Sequence, residues 1–467
     1  MTAGNLLKSI PKVDKILGSN EFSQLRQKYK DEILVRLIRM HLDICRSKIL
    51  KGSLRSVPDN FTADIASKIL KSFEPFTKSV VNATGIVMNT GLGRAPLSEK
   101  AIERAVEVMS GYCSLEIDIK SGKRGRREDK ISELVSIITG AESATVVNNN
   151  AAAVMICINT LSDKKEAIIS RGELVEIGGS FRMPDIIRKS GAKMVEVGST
   201  NKTNLSDYES AINKRTGAIL KVHTSNYRIN GFTEETGLKE LAEMAKINAV
   251  PLYYDLGGGV FSDLSKFGLP HEPTVSEAVN EGADLFSFSG DKVLGGPQCG
   301  IIAGRKDLVE KVKKNPLMRV LRTDKIRLAL LEETLKYFMT SDPVASGHIT
   351  LKMLSEKRVF LRTKAEDLCG KVRKIVPANW MVEVEDVFDQ AGSGAMPTEK
   401  LEGAAVSIVP HDLSLTKLSE EMRTISEIPV FGYIENEKYY LSLRTIFACE
   451  HSKITENLKL IVNKHKK

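Results

Sequence analysis

Residues 285–298 read Leu-Phe-Ser-Phe-Ser-Gly-Asp-Lys-Val-Leu-Gly-Gly-Pro-Gln, an apolar strand that runs directly into Lys292 and a glycine-rich turn. A lysine at the end of a core strand is costly unless its amine has a function, because burial disfavours the charged form. The same burial lowers the pKa of a lysine and makes it a usable nucleophile for Schiff-base chemistry. A surface lysine that extends its amine into solvent explains the pattern equally well. This stretch alone therefore makes Lys292 a candidate for either role.

The strand in this stretch is one of several short apolar runs that alternate with amphipathic segments. In the segment 238–248, for example, Leu238, Leu241 and Met244 share one helical face. Such alternation over more than 200 residues predicts an α/β fold with a mostly parallel central sheet, in which ligands bind beyond the carboxyl ends of the strands. The predicted strands are 144–147, 167–169, 194–197, 218–222, 250–254, 285–288 and 300–303.

The strand at 250–254 ends in a carboxylate, Asp255, which is followed by Leu-Gly-Gly-Gly. A carboxylate and a lysine at the ends of neighbouring strands fit pyridoxal phosphate. The ring nitrogen of this cofactor needs an anion to stay protonated, and its aldehyde needs an amine. The interval between Asp255 and Lys292 leaves room for one helix and one strand, so the two residues can occupy adjacent strands. The pair is a stronger indication than either residue alone.

A phosphate site is predicted where the strand at 144–147 opens into Asn-Asn-Asn-Ala-Ala-Ala at 148–153 and then an apolar helix. Small and amide residues at a helix N-terminus offer free N–H groups and the positive end of the helix dipole to a phosphate. An ordinary N-cap is the simpler explanation, but three asparagines and three alanines exceed what capping requires. The candidate phosphate-binding residues are Asn148, Asn149, Asn150 and Ala151.

Three arginines are candidates for binding an oxyanion. Arg94 lies in the glycine-rich and otherwise uncharged loop 89–98, and Arg319 and Arg322 are three residues apart, so on a helix they would share a face. The planar guanidinium group suits bidentate recognition of a phosphate-like anion. Ordinary surface arginines are the alternative, and Arg94 fits that alternative least well.

Changes in composition and hydrophobic periodicity along the chain predict three domains. Residues 1–75 have helical periodicity and carry 14 Lys and Arg against 8 Asp and Glu, most of the net charge of +9. This surplus suits an anionic macromolecular partner, although a solvated helical face is the usual explanation for such a run. Residues 76–338 carry the alternating pattern of the large domain. Residues 339–467 mix helix and strand signals and predict a smaller α+β domain with a mobile loop at 390–397.

Several classes of protein are excluded. No apolar run reaches the roughly 18 residues of a membrane span, and the N-terminus lacks the apolar region of a signal peptide. The six cysteines are scattered without a Cys-x-x-Cys pair, which argues against a metal site or a disulfide framework. We therefore expect a cytoplasmic protein without a metal site.

The motifs together resemble the bacterial L-seryl-tRNA(Sec) selenium transferases, or selenocysteine synthases, which are fold-type I pyridoxal phosphate enzymes. The likeness covers nearly the whole chain, and residues 10–17 are similar to the tRNA-binding N-terminal domain of that family. The chain departs from the family pattern at Gly258, where serine is common, and at 114–117, where Ser-Leu-Glu-Ile replaces Asn-Leu-Glu-Tyr. The stretches that carry the likeness are 81–85, 89–98, 147–153, 170–182, 221–229, 231–233, 288–298 and 315–325.

The resemblance implies that Lys292 holds the cofactor as a Schiff base and that Asp255 faces the ring nitrogen. The implied reaction converts L-seryl-tRNA(Sec) to L-selenocysteinyl-tRNA(Sec) with selenophosphate, by β-elimination and selenium addition through an aminoacrylyl-tRNA intermediate. The family forms decamers built from dimers, and its N-terminal domain binds the tRNA. The further residues implied are Arg94, Arg319 and Arg322 for the selenium donor, and His223, Asn226 and Ser289 for the cofactor.

Two other functions remain open from the residues alone. A pyridoxal phosphate lyase or desulfurase acting on a free amino acid would share Lys292, Asp255 and the phosphate site, but it gives the basic N-terminal region no role. A non-catalytic RNA-binding protein would explain the basic region, but it gives no reason for the lysine and the aspartate.

Overall fold

The computed structural model describes residues 3–179, 181–227, 229–392 and 399–466. The chain divides into two compact units, Met1–Ser79 and Val80–Lys467. This division lies four residues beyond the predicted domain boundary at residue 75. The second unit contains both the predicted large domain and the predicted C-terminal domain, whose separation from each other stays a prediction.

The first unit is helical, and its longest helix shows why. Leu34, Ile38 and Leu42 are fully buried at a spacing of four residues, so one face of this helix packs into the core of the unit. Arg36 and Arg39 are exposed on the other side. The helices are α1 (Ala3–Ser9), α2 (Val13–Leu17), α3 (Ser23–Lys28), α4 (Asp31–Leu50) and α5 (Phe61–Ser72).

The second unit contains two larger sheets and fourteen helices within the described residues. Its strands are β1 (Val81–Asn82), β2 (Ile86–Met88), β3 (Ser143–Val147), β4 (Glu166–Ser170), β5 (Glu176–Ile177), β6 (Phe181–Arg182), β7 (Lys193–Val197), β8 (Thr216–Val222), β9 (Leu252–Gly257), β10 (Leu285–Ser289), β11 (Gly300–Gly304), β12 (Met381–Gly392), β13 (Lys400–Val409), β14 (Val430–Phe431), β15 (Tyr433–Glu435) and β16 (Lys438–Ser442). Its helices are α6 (Glu99–Met109), α7 (Asp129–Thr139), α8 (Asn150–Ser162), α9 (Met183–Lys189), α10 (Leu205–Ala211), α11 (Leu238–Ile247), α12 (Val275–Asn280), α13 (Lys306–Lys314), α14 (Leu317–Val320), α15 (Lys325–Tyr337), α16 (Ile349–Ser355), α17 (Arg358–Arg373), α18 (Leu415–Thr424) and α19 (His451–His465).

The central sheet confirms the predicted α/β fold. Across the described residues it has seven strands in the order β3-β11-β10-β9-β8-β4-β7, and β11 alone among them runs antiparallel to its neighbours. All seven predicted strands occur in it. Each face of the sheet is covered by its own apolar cluster. Because side chains alternate along a strand, Tyr253 belongs to the cluster on one face and Tyr254 to the cluster on the other. Because both faces are covered, every position is buried in β3, β4, β9, β10 and β11, and these strands read as largely apolar runs, whereas the edge strand β7 is mostly unburied.

A second sheet, in the order β15-β16-β13-β12-β2, lies in the C-terminal part of the unit. Its edge strand β2 and the short strand β1 come from residues 81–88, which the sequence assigned to the large domain. In the structure Ile86 pairs with Gln390, and Val81 pairs with Val430. Periodicity could not reveal this pairing, because it joins segments about 300 residues apart.

The prediction of a loop at 390–397 is wrong for residues 390–392, because these residues form the end of β12 and pair with β2. Residues 393–397 lie outside the described residues. None of the described helices combines the length and the apolar character needed to cross a membrane. Within the same residues, no group of three or more His, Cys, Asp or Glu is placed to hold a metal ion.

Candidate active site

The predicted site residues meet at one edge of the central sheet. Strands β3, β8, β9 and β10 are mutually parallel in the sheet, so their carboxyl ends lie at the same edge, and antiparallel β11 begins there with Gly300. Loops and helix N-termini at this edge are the usual place for a ligand in an open α/β sheet. Residues that follow these strands are Asn148, His223 and Lys292, and Asp255 lies within β9 near its end.

Lys292 is buried, with 6% of its surface exposed. Burial lowers the pKa of its amine, and Arg94 lowers it further, whereas Asp255 and Asp291 raise it. The turn after Lys292 closes through a hydrogen bond from the Gly295 amide to the Lys292 carbonyl oxygen at 2.9 Å. Gly295 has a φ of 68°, and a Cβ there would lie 2.6 Å from a ring carbon of His348, so only glycine fits this position.

Asp255 is also buried, and burial raises the pKa of its carboxyl group. Opposing causes lower that pKa, the largest being a hydrogen bond from Asn150 and the next being the charge of Lys292. The Asp255 Oδ1 atom accepts from Asn150 Nδ2 at 2.9 Å and from the Gly257 amide at 3.1 Å. Asp255 lies beside Ser287 of β10, which confirms that the aspartate and the lysine belong to adjacent strands.

The three consecutive asparagines have three different environments. Asn149 is the N-cap of α8, and its Oδ1 accepts from the Ala152 amide at 2.8 Å. The side-chain amide of Asn150 donates to Asp255. The backbone N–H of Asn148 donates to the Leu321 carbonyl oxygen at 3.0 Å. Asn148 Oδ1 is buried with no hydrogen-bond partner among the described residues. The Asn149 side chain thus caps α8, and the Asn150 side chain orients Asp255. The free backbone N–H groups at the start of α8 are the part suited to binding a phosphate.

Gly300 keeps this helix N-terminus close to the sheet. A Cβ at Gly300 would overlap the Asn149 carbonyl group and would come within 2.9 Å of the Asn150 amide nitrogen. The close approach of β11 to the first turn of α8 therefore requires glycine here.

Arg94 belongs to the site, and its partner is Asp291, the residue before Lys292. Its Nη1 donates to Asp291 Oδ2 at 2.6 Å, and the Ala95 amide lies 3.4 Å from the Asp291 carbonyl oxygen. Arg94 also has a φ of 64°, a left-handed conformation that is uncommon for a residue with a side chain.

The prediction that Arg319 and Arg322 share a helical face is wrong. Helix α14 ends at Val320, and Arg322 lies beyond it in an isolated bridge with Val147. Arg319 is exposed. The Arg322 Nη1 atom lies 3.6 Å from Glu116 Oε1, a carboxylate that also pairs with Arg124 and Arg127. These guanidinium groups and their shared glutamate line a cleft of about 300 Å³.

The three remaining candidates differ in burial and in their hydrogen-bond partners. The Ser289 residue is buried at the end of β10, opposite Gly300. The ring of His223 binds Glu272, with Nε2 and Oε2 2.9 Å apart, and its amide donates to the Asp255 carbonyl oxygen. His223 also lines an adjacent cavity of about 570 Å³. Asn226 is exposed, and its amide donates to the Glu176 carbonyl oxygen at 2.9 Å.

Sequence reasoning missed the partners that organise the site. Asp291 was visible beside Lys292, but nothing in its spacing showed that it pairs with Arg94. Ser287 and Tyr253 were treated only as strand residues, although both contact the Asn150 network.

The residues present fit pyridoxal phosphate. A buried amine with a lowered pKa, a buried carboxylate and a helix N-terminus whose approach requires glycine supply what the aldehyde, ring nitrogen and phosphate of this cofactor need. Asn148 Oδ1, which has no hydrogen-bond partner in the described part of the chain, is a further polar atom available at the same edge.

Comparisons with known proteins show what the chain as a whole is similar to. The structure of D-glucosaminate-6-phosphate ammonia-lyase is similar with a TM-score of 0.57 and 20% identity, over 83% of this chain and 96% of that one. A protein of Alkaliphilus metalliredigens called L-seryl-tRNA(Sec) selenium transferase is 44% identical over 99% of this chain and 100% of its own length. One of the same name from Carboxydothermus hydrogenoformans is 43% identical over 100% of this chain and 99% of its own.

The fold and the relatives define the class of the chain: it is an enzyme with the α/β architecture called fold-type I. The family model described as L-seryl-tRNA selenium transferase matches residues 80–447, and the model described as selenocysteine synthase N terminal matches residues 7–46. The chain belongs to the L-seryl-tRNA selenium transferase family.

Proposed function

We propose that this protein converts L-seryl-tRNA(Sec) to L-selenocysteinyl-tRNA(Sec), with selenophosphate as the selenium donor. Its membership of the family supports this reaction. The observation that carries the chemistry is that buried Lys292 and buried Asp255 lie at the carboxyl edge of the sheet, where the charge of each shifts the pKa of the other. When bound there, pyridoxal phosphate supplies the electron sink that allows a Cα–H bond to break and a β-substituent to leave.

The lysine and the aspartate have complementary roles in this proposal. Lys292 binds the cofactor through its amine and then acts as the base at the substrate Cα, for which a lowered pKa is required at neutral pH. Asp255 presents a carboxylate to the ring nitrogen. The backbone at Asn150 and Ala151 binds the phosphate, while His223 and Ser289 border the ring pocket.

Selenophosphate binding is assigned to Arg94, Arg319 and Arg322. A guanidinium group can hold the phosphate oxygens of the donor by two parallel hydrogen bonds. Arg94 is joined to the lysine loop through Asp291. Arg322 lies at the mouth of the Glu116 cleft, next to the strand that leads into α8.

The tRNA is bound by the first unit, Met1–Ser79. Exposed cations on α4, including Arg36, Arg39 and Arg46, support this role, because phosphate contacts dominate nucleic-acid affinity. The tRNA substrate and the six free cysteines suit the cytoplasm.

The proposal also includes a homo-oligomer, a decamer built from five dimers. Its support in this chain is a run of exposed apolar side chains between α6 and α7. Tyr112 is fully exposed, Ile119 is 81% exposed and Ile117 is 58% exposed, and exposed apolar patches of this kind mark interfaces.

The test is incubation of the purified protein with seryl-tRNA(Sec), pyridoxal phosphate and selenophosphate, followed by mass spectrometry of the amino acid released from the tRNA. Selenocysteine is expected from the wild type and none from Lys292→Ala, which should still bind the tRNA. Turnover of free serine or cysteine without tRNA would instead indicate a lyase or desulfurase. Borohydride reduction followed by peptide mapping should place the cofactor on Lys292.

A further inference from the structure

A chain of hydrogen bonds leads from the interior of the sheet to Asp255. Tyr253 and Asp255 are two residues apart on β9 and therefore face the same side, and Ser287 lies beside Asp255 on β10. Asn150 joins them from the first turn of α8. Its Oδ1 accepts from Ser287 Oγ at 2.9 Å, its Nδ2 donates to Asp255 Oδ1 at 2.9 Å, and Tyr253 Oη lies 2.6 Å from Ser287 Oγ.

The chemistry of the groups allows these bonds one direction when Asp255 is ionised. A carboxylate only accepts, so Asn150 must present its NH₂ to Asp255 and its carbonyl oxygen to Ser287. Ser287 has one hydroxyl hydrogen, which it gives to Asn150, so Tyr253 must donate to Ser287. A proton on Asp255 Oδ1 itself would require the Asn150 amide to turn over and both hydroxyl groups to reverse, so this chain of hydrogen bonds excludes a proton from this oxygen.

The hydrogen-bond chain Tyr253–Ser287–Asn150, called the relay below, opposes the rise that burial causes in the pKa of Asp255. Tyr253 and Ser287 are fully buried, and Asp255 is 5% exposed, so water does not solvate the carboxylate. The Asn150 bond is the largest of the causes that lower the pKa of Asp255, ahead of the charge of Lys292, the Gly257 amide and His223. The thiol of Cys157 also faces this carboxylate, but its own pKa is raised by burial, so it is neutral.

We propose that Tyr253, Ser287 and Asn150 are positioning residues that hold Asp255 in its ionised form toward the cofactor. This inference rests on the proposed function, in which Asp255 faces the ring nitrogen. Removing a donor from the relay makes the carboxylate a stronger proton acceptor. With pyridoxal phosphate bound, the ring nitrogen would then hold its proton less firmly and Asp255 would take it up more readily.

The experiment measures the ¹⁵N chemical shift of the ring nitrogen in holoenzyme loaded with ¹⁵N-labelled pyridoxal phosphate. Ser287→Ala and Tyr253→Phe are expected to move this shift toward that of neutral pyridine and to weaken cofactor binding about two- to tenfold. The double variant should equal Ser287→Ala alone, because the tyrosine acts through the serine. Tyr254→Phe is the matched control, since it lies on the same strand but faces the other side of the sheet.

Asp255→Ala separates the inference from the function on which it rests. If Asp255→Ala moves the ring-nitrogen shift but Ser287→Ala and Tyr253→Phe leave it at the wild-type value, the relay is refuted and the proposed function stands. If Asp255→Ala also leaves the shift unchanged, Asp255 does not face the ring, and both the relay and the role given to Asp255 in the proposed function are refuted. Equal shifts in Tyr253→Phe and Tyr254→Phe would indicate a general packing effect and would refute the relay.

Discussion

Arg94 Nη1 and Asp291 Oδ2 are 2.6 Å apart, and this ion pair fastens the glycine-rich loop before α6 to the residue that precedes Lys292. Arg94 adopts a left-handed backbone conformation to make the contact, which costs about 1 kcal/mol or more for a residue with a side chain. Strain of this kind is retained where the surrounding structure and the function require it. The two charges also act on the Lys292 amine with opposite sign.

The Arg94–Asp291 pair predicts opposite pH shifts for two variants. Arg94→Met removes a cation that lowers the pKa of Lys292, so that pKa should rise and the neutral amine should become scarcer at pH 7. Asp291→Asn should lower the pKa of Lys292. The rate at which the apo protein captures pyridoxal phosphate, measured against pH, should shift its midpoint upward in the first and downward in the second, by about half to one pH unit. Shifts of the same sign would disprove this electrostatic coupling.

Substitution of Gly300 should damage the phosphate site. The Cβ of Gly300→Ala would push against the carbonyl group of Asn149 and displace the first turn of α8, so we expect about tenfold weaker pyridoxal phosphate binding and about 1–3 kcal/mol lower stability. Gly370→Ala in α17 is the control, because its Cβ would meet nothing within 4 Å, and it should stabilise the helix by about 0.5–1 kcal/mol. Wild-type cofactor affinity in Gly300→Ala, measured by fluorescence titration, would contradict the assignment.

The proposed role of Arg322 in binding selenophosphate can be tested separately from its ion pair with Glu116. Arg322→Ala and Arg319→Ala should raise the KM for selenophosphate about tenfold or more while leaving tRNA affinity unchanged, because they remove a charged hydrogen-bond donor from the anion. Arg124→Ala is the matched control, since Arg124 pairs with the same Glu116 carboxylate but is 79% exposed. An unaltered KM in both test variants would reject the assignment.

Removal of residues 1–79 should abolish the salt-sensitive part of tRNA binding. The truncated protein should lose affinity for tRNA(Sec) about tenfold or more, and its binding should depend less steeply on salt, because phosphate contacts by the basic helices are gone. Filter binding over a series of salt concentrations measures both quantities. Undiminished affinity would mean that the first unit serves another purpose, such as assembly.

The buried Arg444–Asp389 pair should dominate the stability of the C-terminal sheet. Both side chains are almost fully buried, and Arg444 Nε lies 2.9 Å from Asp389 Oδ2. Arg444→Met leaves the buried Asp389 carboxylate without its cation, so it should lower the free energy of unfolding by about 3–5 kcal/mol. Arg362→Met, which breaks a half-exposed pair with Asp386, should cost less than about 1 kcal/mol. Denaturant unfolding compares the two, and similar losses would contradict the argument.

The pH dependence of Arg444→Met has a definite sign. Burial raises the pKa of Asp389, while Ser442 and Arg444 lower it, so loss of Arg444 raises it further. A carboxyl group whose pKa is higher in the folded state binds more protons there, and its folding penalty diminishes as pH falls through that pKa toward the unfolded value. The stability deficit of Arg444→Met should therefore shrink in mild acid. A deficit that is constant with pH would indicate lost packing instead of a stranded charge.

The apolar pattern of the chain is sufficient to predict the central sheet and to single out Lys292 and Asp255 as candidate site residues. Six of the seven strands are buried along all or nearly all of their length, the exception being the edge strand β7, so most of them are apolar runs that are visible without the structure. Lys292 and Asp255 interrupt such runs at their ends, and polar groups at that position are conspicuous because burial is costly for them.

The tertiary structure alone decided which distant groups meet. Arg94 pairs with Asp291, Asn150 reaches Asp255 and residues 86–88 join the C-terminal sheet across separations of about 100 to 300 residues. A side-chain hydrogen bond depends on the position and direction of two atoms, and neither is encoded in local periodicity or residue type. The chain order therefore showed which chemistry was present, and packing of the strands and loops set the contacts through which it acts.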